Sequence, residues 1–107
     1  MALAEIYNKA LDLLSRREHS RKELYLKLTK RFESKENINL TLDRLEENNL
    51  LSDSRFAEEY VLARRRKGFG PTKISMELQN KGVNKSLIFN EIQRFDDWVD
   101  LARKSFK

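Results

Sequence analysis

The chain has 107 residues, of which 39% are hydrophobic and 36% are charged, so it can bury only a thin core as one domain or two very small ones. It contains no cysteine, which excludes disulfides and thiolate metal sites and favours a reducing compartment. No apolar run approaches the roughly 20 residues that cross a bilayer, and no signal peptide precedes the first predicted helix, so we expect a cytoplasmic protein without membrane contacts.

The net charge of +5 is distributed in blocks along the chain. Residues 16–31 carry seven cations against two acids, and residues 32–60 carry eight acids against three cations. Residues 61–73 carry five cations and no acid. Such alternation indicates either helices that pair internally or separate basic and acidic faces for a large charged partner.

Hydrophobic spacing predicts three helices in the first half of the chain. The first runs over residues 4–16, with apolar side chains on one stripe. Ser20 and Glu23 form a capping box that opens the second, over residues 20–32. The third, over residues 35–48, begins near Ser34 and ends at two asparagines that tolerate a left-handed conformation.

The second half predicts three more helices, over residues 53–67, 71–81 and 85–95. The fourth helix ends in four consecutive cations, and a glycine-bracketed turn follows. Gly68 and Gly82 suit left-handed positions after a helix, and Gly70 followed by Pro71 suits the start of the fifth helix. Phe69 can then contact Ile74 in a hydrophobic staple that fixes the angle between the two helices.

A shift of 50 residues superimposes the two halves without a gap. Leu24 then falls on Ile74 and Leu28 on Leu78, and the links between the helices match as well. We therefore predict an all-α, elongated tandem repeat of three-helix, helix–turn–helix-like units. The first unit covers residues 1–51, the second covers residues 52–96, and residues 97–107 form the first helix of an incomplete third unit.

Four groups of residues carry a resemblance that covers nearly the whole chain. They are Ala10-Leu11 to Leu14 with Arg17; Ser20-Arg21-Lys22-Glu23-Leu24 with Lys27-Leu28; Asp53-Ser54-Arg55-Phe56-Ala57 with Tyr60; and Gly68-Phe69-Gly70-Pro71 with Ile74, Leu78 and Lys81-Gly82-Val83. In this order they resemble the RecX family, the regulators of the bacterial recombinase RecA. Members of that family usually have three such three-helix units, and some carry an additional N-terminal region.

The resemblance implies a regulator, usually an inhibitor, that lies in the helical groove of the RecA filament on single-stranded DNA. There it would bridge neighbouring protomers and oppose filament growth, ATP hydrolysis, strand exchange and cleavage of the SOS repressor. It therefore implies a role in homologous recombination and SOS DNA repair. The expected partner is the RecA filament, with contact to the DNA backbone, and the chain itself is expected to be a monomer.

The positions of the cations around the fourth helix predict different roles for them. Arg64 lies on the apolar stripe, where the first repeat has Leu14, so we assign it to the fold. Arg65 and Arg66 point away on either side of Leu62, and we assign these three residues to the partner-binding surface. The alternative is that the cations only satisfy the last carbonyls of the helix and its dipole.

Further cations complete the predicted partner-binding surface, and the turn supplies the predicted structural residues. The additional partner contacts are Lys67, Lys73, Arg17, Arg21 and Lys22, and the structural residues are Gly68, Phe69, Gly70, Pro71 and Gly82. Phe69 could also stack on a base, as aromatic side chains in basic grooves do, but the staple explains it equally well.

No residue pattern indicates catalysis. There is one histidine, no cluster of metal ligands, and no phosphate-binding glycine loop, so we expect neither an enzyme nor a cofactor. Two other functions remain open: a stand-alone helix–turn–helix-like DNA-binding module and a helical protein–protein scaffold. Against the DNA-binding module, the second and fifth helices lack an outward cluster of Asn, Gln and Arg for base reading.

Overall fold

A computed structural model describes residues 2–95 and Trp98. Within these residues the chain is all-α, with six helices and no strand, which confirms the predicted fold class. The helices are α1 (Ala2–Arg16), α2 (Arg21–Thr29), α3 (Lys35–Glu47), α4 (Asp53–Arg66), α5 (Pro71–Asn80) and α6 (Lys85–Gln93). The predicted third unit, residues 97–107, lies outside the described residues apart from Trp98.

The chain divides into two compact units, residues 1–53 and 54–107. We call them the first unit and the second unit. In the first, α1 packs on α2 and α3 around a core of Ile6, Ala10, Leu24, Leu28, Ile38, Leu42, Leu45 and Leu51. The core of the second unit consists of Phe56, Ala57, Val61, Ile74, Leu78, Val83 and Ile88. Four pairs of these core residues correspond at the 50-residue offset: Ile6 and Phe56, Leu24 and Ile74, Leu28 and Leu78, and Ile38 and Ile88.

Side-chain caps fix the starts of three helices, α2, α3 and α6. At α2, the Ser20 hydroxyl accepts the Glu23 N–H at 3.1 Å, and Glu23 Oε1 accepts the Ser20 N–H at 3.2 Å. Ser34 caps α3, and Asn84 caps α6. These bonds satisfy amide groups that have no partner within the helix. The ends of the helices are therefore set by their own sequence.

The turn between α4 and α5 has the predicted backbone. Gly68 has a φ of +91°, and Gly82, after α5, has a φ of +84°. Gly70 is the N-cap of α5 without a side-chain hydrogen bond, and Pro71 is the first helical residue. The Phe69 N–H donates to the Arg64 carbonyl at 3.2 Å, and its ring packs against the core of the second unit.

Gly68→Ala is expected to cost about 1 kcal/mol of unfolding free energy, because an L-residue with positive φ places its Cβ against the backbone. An added Cβ meets no other atom within 4 Å, so the backbone conformation alone sets this cost. Gly70→Ser is the matched comparison: it supplies the cap that Ser20 gives α2 and should gain about 0.3 kcal/mol. Urea unfolding measures both changes, and a neutral Gly68→Ala would contradict the positive φ.

Candidate functional site

Arg64 joins the end of α4 to α5. Its Nε lies 3.0 Å from Glu77 Oε1 and its Nη2 lies 3.0 Å from Glu77 Oε2, so the guanidinium holds the carboxylate with two hydrogen bonds. The same guanidinium lies 3.9 Å from the centre of the Phe69 ring. Arg64 is therefore held between a carboxylate and an aromatic face, which is a favourable position for a planar cation.

Glu77 is the centre of this contact. The Tyr60 hydroxyl donates to its Oε1 at 2.7 Å, and Lys73 Nζ lies 3.5 Å from its Oε2. The Tyr60 hydrogen bond lowers the pKa of the Glu77 carboxyl below its ordinary value, and the Arg64 hydrogen bond acts in the same direction. We call Tyr60, Arg64, Phe69, Lys73 and Glu77 the Glu77 cluster.

Arg65 does not point away from the fold, and this expectation was wrong. The side chain is half-buried, and its guanidinium lies 4.3 Å from the centre of the Phe95 ring and 5.6 Å from that of Trp98. These rings come from the chain after α6, so the helical position of Arg65 on α4 could not reveal them. Arg65 therefore contributes to the packing of the second unit.

The remaining cations at this end of α4 are accessible. Arg66 and Lys67 are exposed. Lys73, on α5 after the turn, has a side chain that is 57% exposed. Leu62 is half-buried. We call Arg66 at the end of α4, Lys67 in the turn and Lys73 on α5 together the basic end of α4, and partner binding by these residues stays a prediction.

Two cations of the first unit that were predicted to bind a partner are engaged within the unit. Arg17 contacts both carboxylate oxygens of Glu23, at 3.1 and 3.2 Å. Arg21 Nη1 lies 2.8 Å from Asp43 Oδ1 and 2.6 Å from Glu46 Oε1, both on α3. The basic and acidic blocks of the first unit therefore pair in part with each other. Lys22 is exposed.

The first unit has a different polar contact at the place of the Glu77 cluster. His19, which is 1% exposed, corresponds to Phe69, and Lys27 corresponds to Glu77. The ring contacts the Arg17 carbonyl through Nδ1 at 3.0 Å and Lys27 Nζ through Nε2 at 2.8 Å. The contact between His19 and Lys27 was not predicted from the sequence, although the 50-residue offset makes Lys27 equivalent to Glu77.

Stability between pH 7.5 and 5.5 should depend on His19. Burial lowers its pKa below the ordinary 6.5, so the unfolded chain binds a proton at a higher pH than the folded one. The contribution of neutral His19 to the free energy of unfolding is then fully present above pH 6.5. It is lost as the pH falls towards the lower pKa of His19 in the folded chain. Urea unfolding at the two pH values should show this loss in the parent and not in His19→Phe, and equal losses would contradict it.

Among residues 2–95 and Trp98, no group of His, Cys, Asp and Glu side chains is arranged to hold a metal ion. In the same part of the chain, no helix is both long and apolar enough to span a membrane.

Comparison with known proteins decides the family. Residues 7–45 match the model of the first RecX three-helix domain, and residues 52–89 match that of the second. The chain belongs to the RecX family. The two matches follow each other in the order of the domains; the first lies within the first unit, and all but residues 52 and 53 of the second lie within the second unit.

Curated relatives and solved structures agree with this assignment. The regulatory protein RecX of Pseudomonas fluorescens Pf-5 is 46% identical over 94% of this chain and 66% of its own length. That of Pseudomonas syringae pv. tomato is 47% identical over 76% of this chain and 52% of its own length. The chain therefore spans about half to two thirds of the curated relatives that it matches.

The crystal structure of RecX from Lactobacillus salivarius matches with a TM-score of 0.81 and 27% identity, over 89% of this chain and 62% of that one. A second crystal structure, of a regulatory protein RecX, matches with a TM-score of 0.88 and 27% identity. This second match covers 95% of this chain and 52% of the chain in that crystal structure.

Proposed function

We propose that this RecX-family chain regulates the RecA recombinase as an inhibitor, binding as a monomer in the groove of the RecA filament on single-stranded DNA. The observation that supports the proposal is the pair of RecX three-helix domains that match in order along one chain. Bound there, the chain would oppose ATP hydrolysis, strand exchange and repressor cleavage.

The basic end of α4 is the proposed contact surface. It has three exposed cations, of which Arg66 and Lys67 precede the turn and Lys73 follows it. The Arg64–Glu77 hydrogen bonds of the Glu77 cluster hold the end of α4 to α5 at this turn. A filament on DNA presents acidic side chains and phosphates, and both attract such a surface. Arg65 is left out because it packs on Phe95, and Lys22 is an exposed candidate of the first unit.

The test is a titration of the chain onto preformed RecA filaments on single-stranded DNA, with ATP hydrolysis as the readout. The parent should reduce the rate of hydrolysis. The double reversal Arg66→Glu with Lys67→Glu should lose at least about tenfold in apparent affinity, since rim charges act mainly on association, and the loss should be larger at low salt. The thermal midpoint should stay nearly unchanged, because both side chains are exposed.

The matched control is Lys35→Glu with Lys85→Glu, which changes the net charge equally at two exposed helix starts. It should inhibit as the parent does. If both double variants lose affinity alike, net charge rather than the basic end of α4 acts on the filament. If the parent leaves ATP hydrolysis unchanged but binds single-stranded DNA without recombinase, with a steep salt dependence, the DNA-binding alternative replaces the proposal.

A further inference from the structure

Lys27 has the arrangement of an assisted nucleophile. Its Nζ lies 2.8 Å from His19 Nε2, and His19 Nδ1 lies 3.0 Å from the Arg17 carbonyl oxygen. An amine, a base within hydrogen-bond reach, and a third group that orients the base are the elements by which proteins activate a nucleophile. The second unit has no such arrangement, because Phe69 and Glu77 occupy the equivalent positions.

The hydrogen bonds determine which nitrogen of His19 is the base. A carbonyl oxygen can only accept, so Nδ1 must carry the proton that it shares with Arg17. In the neutral ring Nε2 then holds a lone pair, and this lone pair faces Lys27 Nζ. The ring is 1% exposed and cannot turn to water without leaving the core, so the orientation is fixed.

The surroundings favour the reactive form of both groups. Lys27 is an exposed residue, but its ammonium group lies against the buried His19 ring. The loss of water around the ammonium group lowers the pKa of Lys27. Arg17, Arg16 and Lys30 lower it further by repulsion, and Glu23 opposes them. Burial likewise keeps His19 neutral, so the base is not consumed by protonation at neutral pH.

We propose that Lys27 is a site of spontaneous acylation by small acyl phosphates. The Nζ lone pair attacks the acyl carbon, the N–C bond forms, and the C–O bond to phosphate breaks as phosphate leaves with the electron pair. The proton lost by the nitrogen passes to His19 Nε2 and then to water. The surrounding arginines attract the anionic leaving group, and the product is a neutral amide in place of a cation on α2.

The test uses acetyl phosphate with the folded chain, and mass spectrometry follows the acetylation of each lysine. Lys30 is the internal control, since it is exposed and close by at the end of α2 without a histidine partner. Lys27 should react at least about tenfold faster than Lys30, since general-base assistance typically contributes about 10²–10⁴-fold. Equal rates in the folded chain would overturn the proposal.

Two further arms separate the geometry from the local sequence. In His19→Phe, which carries the residue of the second unit, Lys27 should slow to the rate of Lys30. In guanidinium chloride the parent should lose the difference as well, and this arm holds even if His19→Phe does not fold. A rate advantage that persists in the unfolded chain would assign it to neighbouring residues in sequence and overturn the role of His19. The proposal does not depend on RecA regulation.

Discussion

Leu28→Ala is expected to lose about 3 kcal/mol of the free energy of unfolding of the first unit, since it leaves a cavity in a closed core. Leu28 is 0% exposed and belongs to the core cluster of that unit. The loss is comparable with the whole stability of a unit of this size, at about 0.05–0.15 kcal/mol per residue. Amide hydrogen exchange, resolved by residue, should show the protection of α1 to α3 collapse.

Leu26→Ala is the matched control on the same helix. Leu26 is 50% exposed, so the same substitution should change the free energy of unfolding by no more than about 0.5 kcal/mol. If the two variants unfold alike, the face of α2 that carries Leu28 is not the buried one. Met76→Ala and Leu78→Ala repeat the comparison in the second unit, where Met76 is 60% exposed and Leu78 is 0% exposed.

Glu77→Lys is expected to be the most destabilising change in the polar part of the second unit. The substitution installs the residue type that the first unit has at Lys27, but here it meets Arg64 and Lys73 and leaves the Tyr60 hydroxyl without its acceptor. Glu77→Gln removes the charge but keeps an acceptor, so its thermal midpoint should fall less. Trp98 is the only tryptophan and reports on the unfolding of this unit by fluorescence.

Rescue by the other repeat distinguishes charge repulsion from lost packing. Arg64→Leu combined with Phe69→His and Glu77→Lys reproduces the three residues that the first unit has at these positions. This triple variant should recover part of the midpoint lost by Glu77→Lys alone, because the charge of Arg64 is removed, and the recovery should be incomplete because Lys73 remains. If Glu77→Lys is tolerated as well as Glu77→Gln, the Glu77 cluster does not hold α4 to α5.

The helices and most of their starts could be predicted from the sequence because their causes are local, whereas α2 ends at Thr29 and α6 at Gln93, before the predicted residues 32 and 95. The capping box at Ser20 and the glycine-proline start of α5 act within four residues, and a positive φ at Gly68 follows from the residue type. The repeat was visible because buried positions recur at one offset. Core residues such as Leu28 and Leu78 follow from that offset directly.

The polar contacts could not be predicted in the same way, because each depends on two separate elements. Arg65 was assigned to the surface from its position on α4, but the Phe95 ring that covers it comes from beyond α6. Arg21 is engaged by Asp43 and Glu46 on another helix. The position of a residue on a helix predicts the direction of its side chain, but it does not predict which residues of other elements that side chain contacts.

In a chain with two similar three-helix units, a helix of one unit can pair with the wrong unit during folding, since α2 and α5 have nearly the same apolar stripe. The polar residues beside that stripe differ: α4 presents Arg64, which matches Glu77 of α5 and repels Lys27 of α2. In the opposite exchange, α5 would bring Glu77 to a place where α1 offers only Leu14. Either mispairing leaves a charge repelled or unmatched next to the core, which is costly. We therefore expect the divergence of these few positions to favour pairing of each helix within its own repeat.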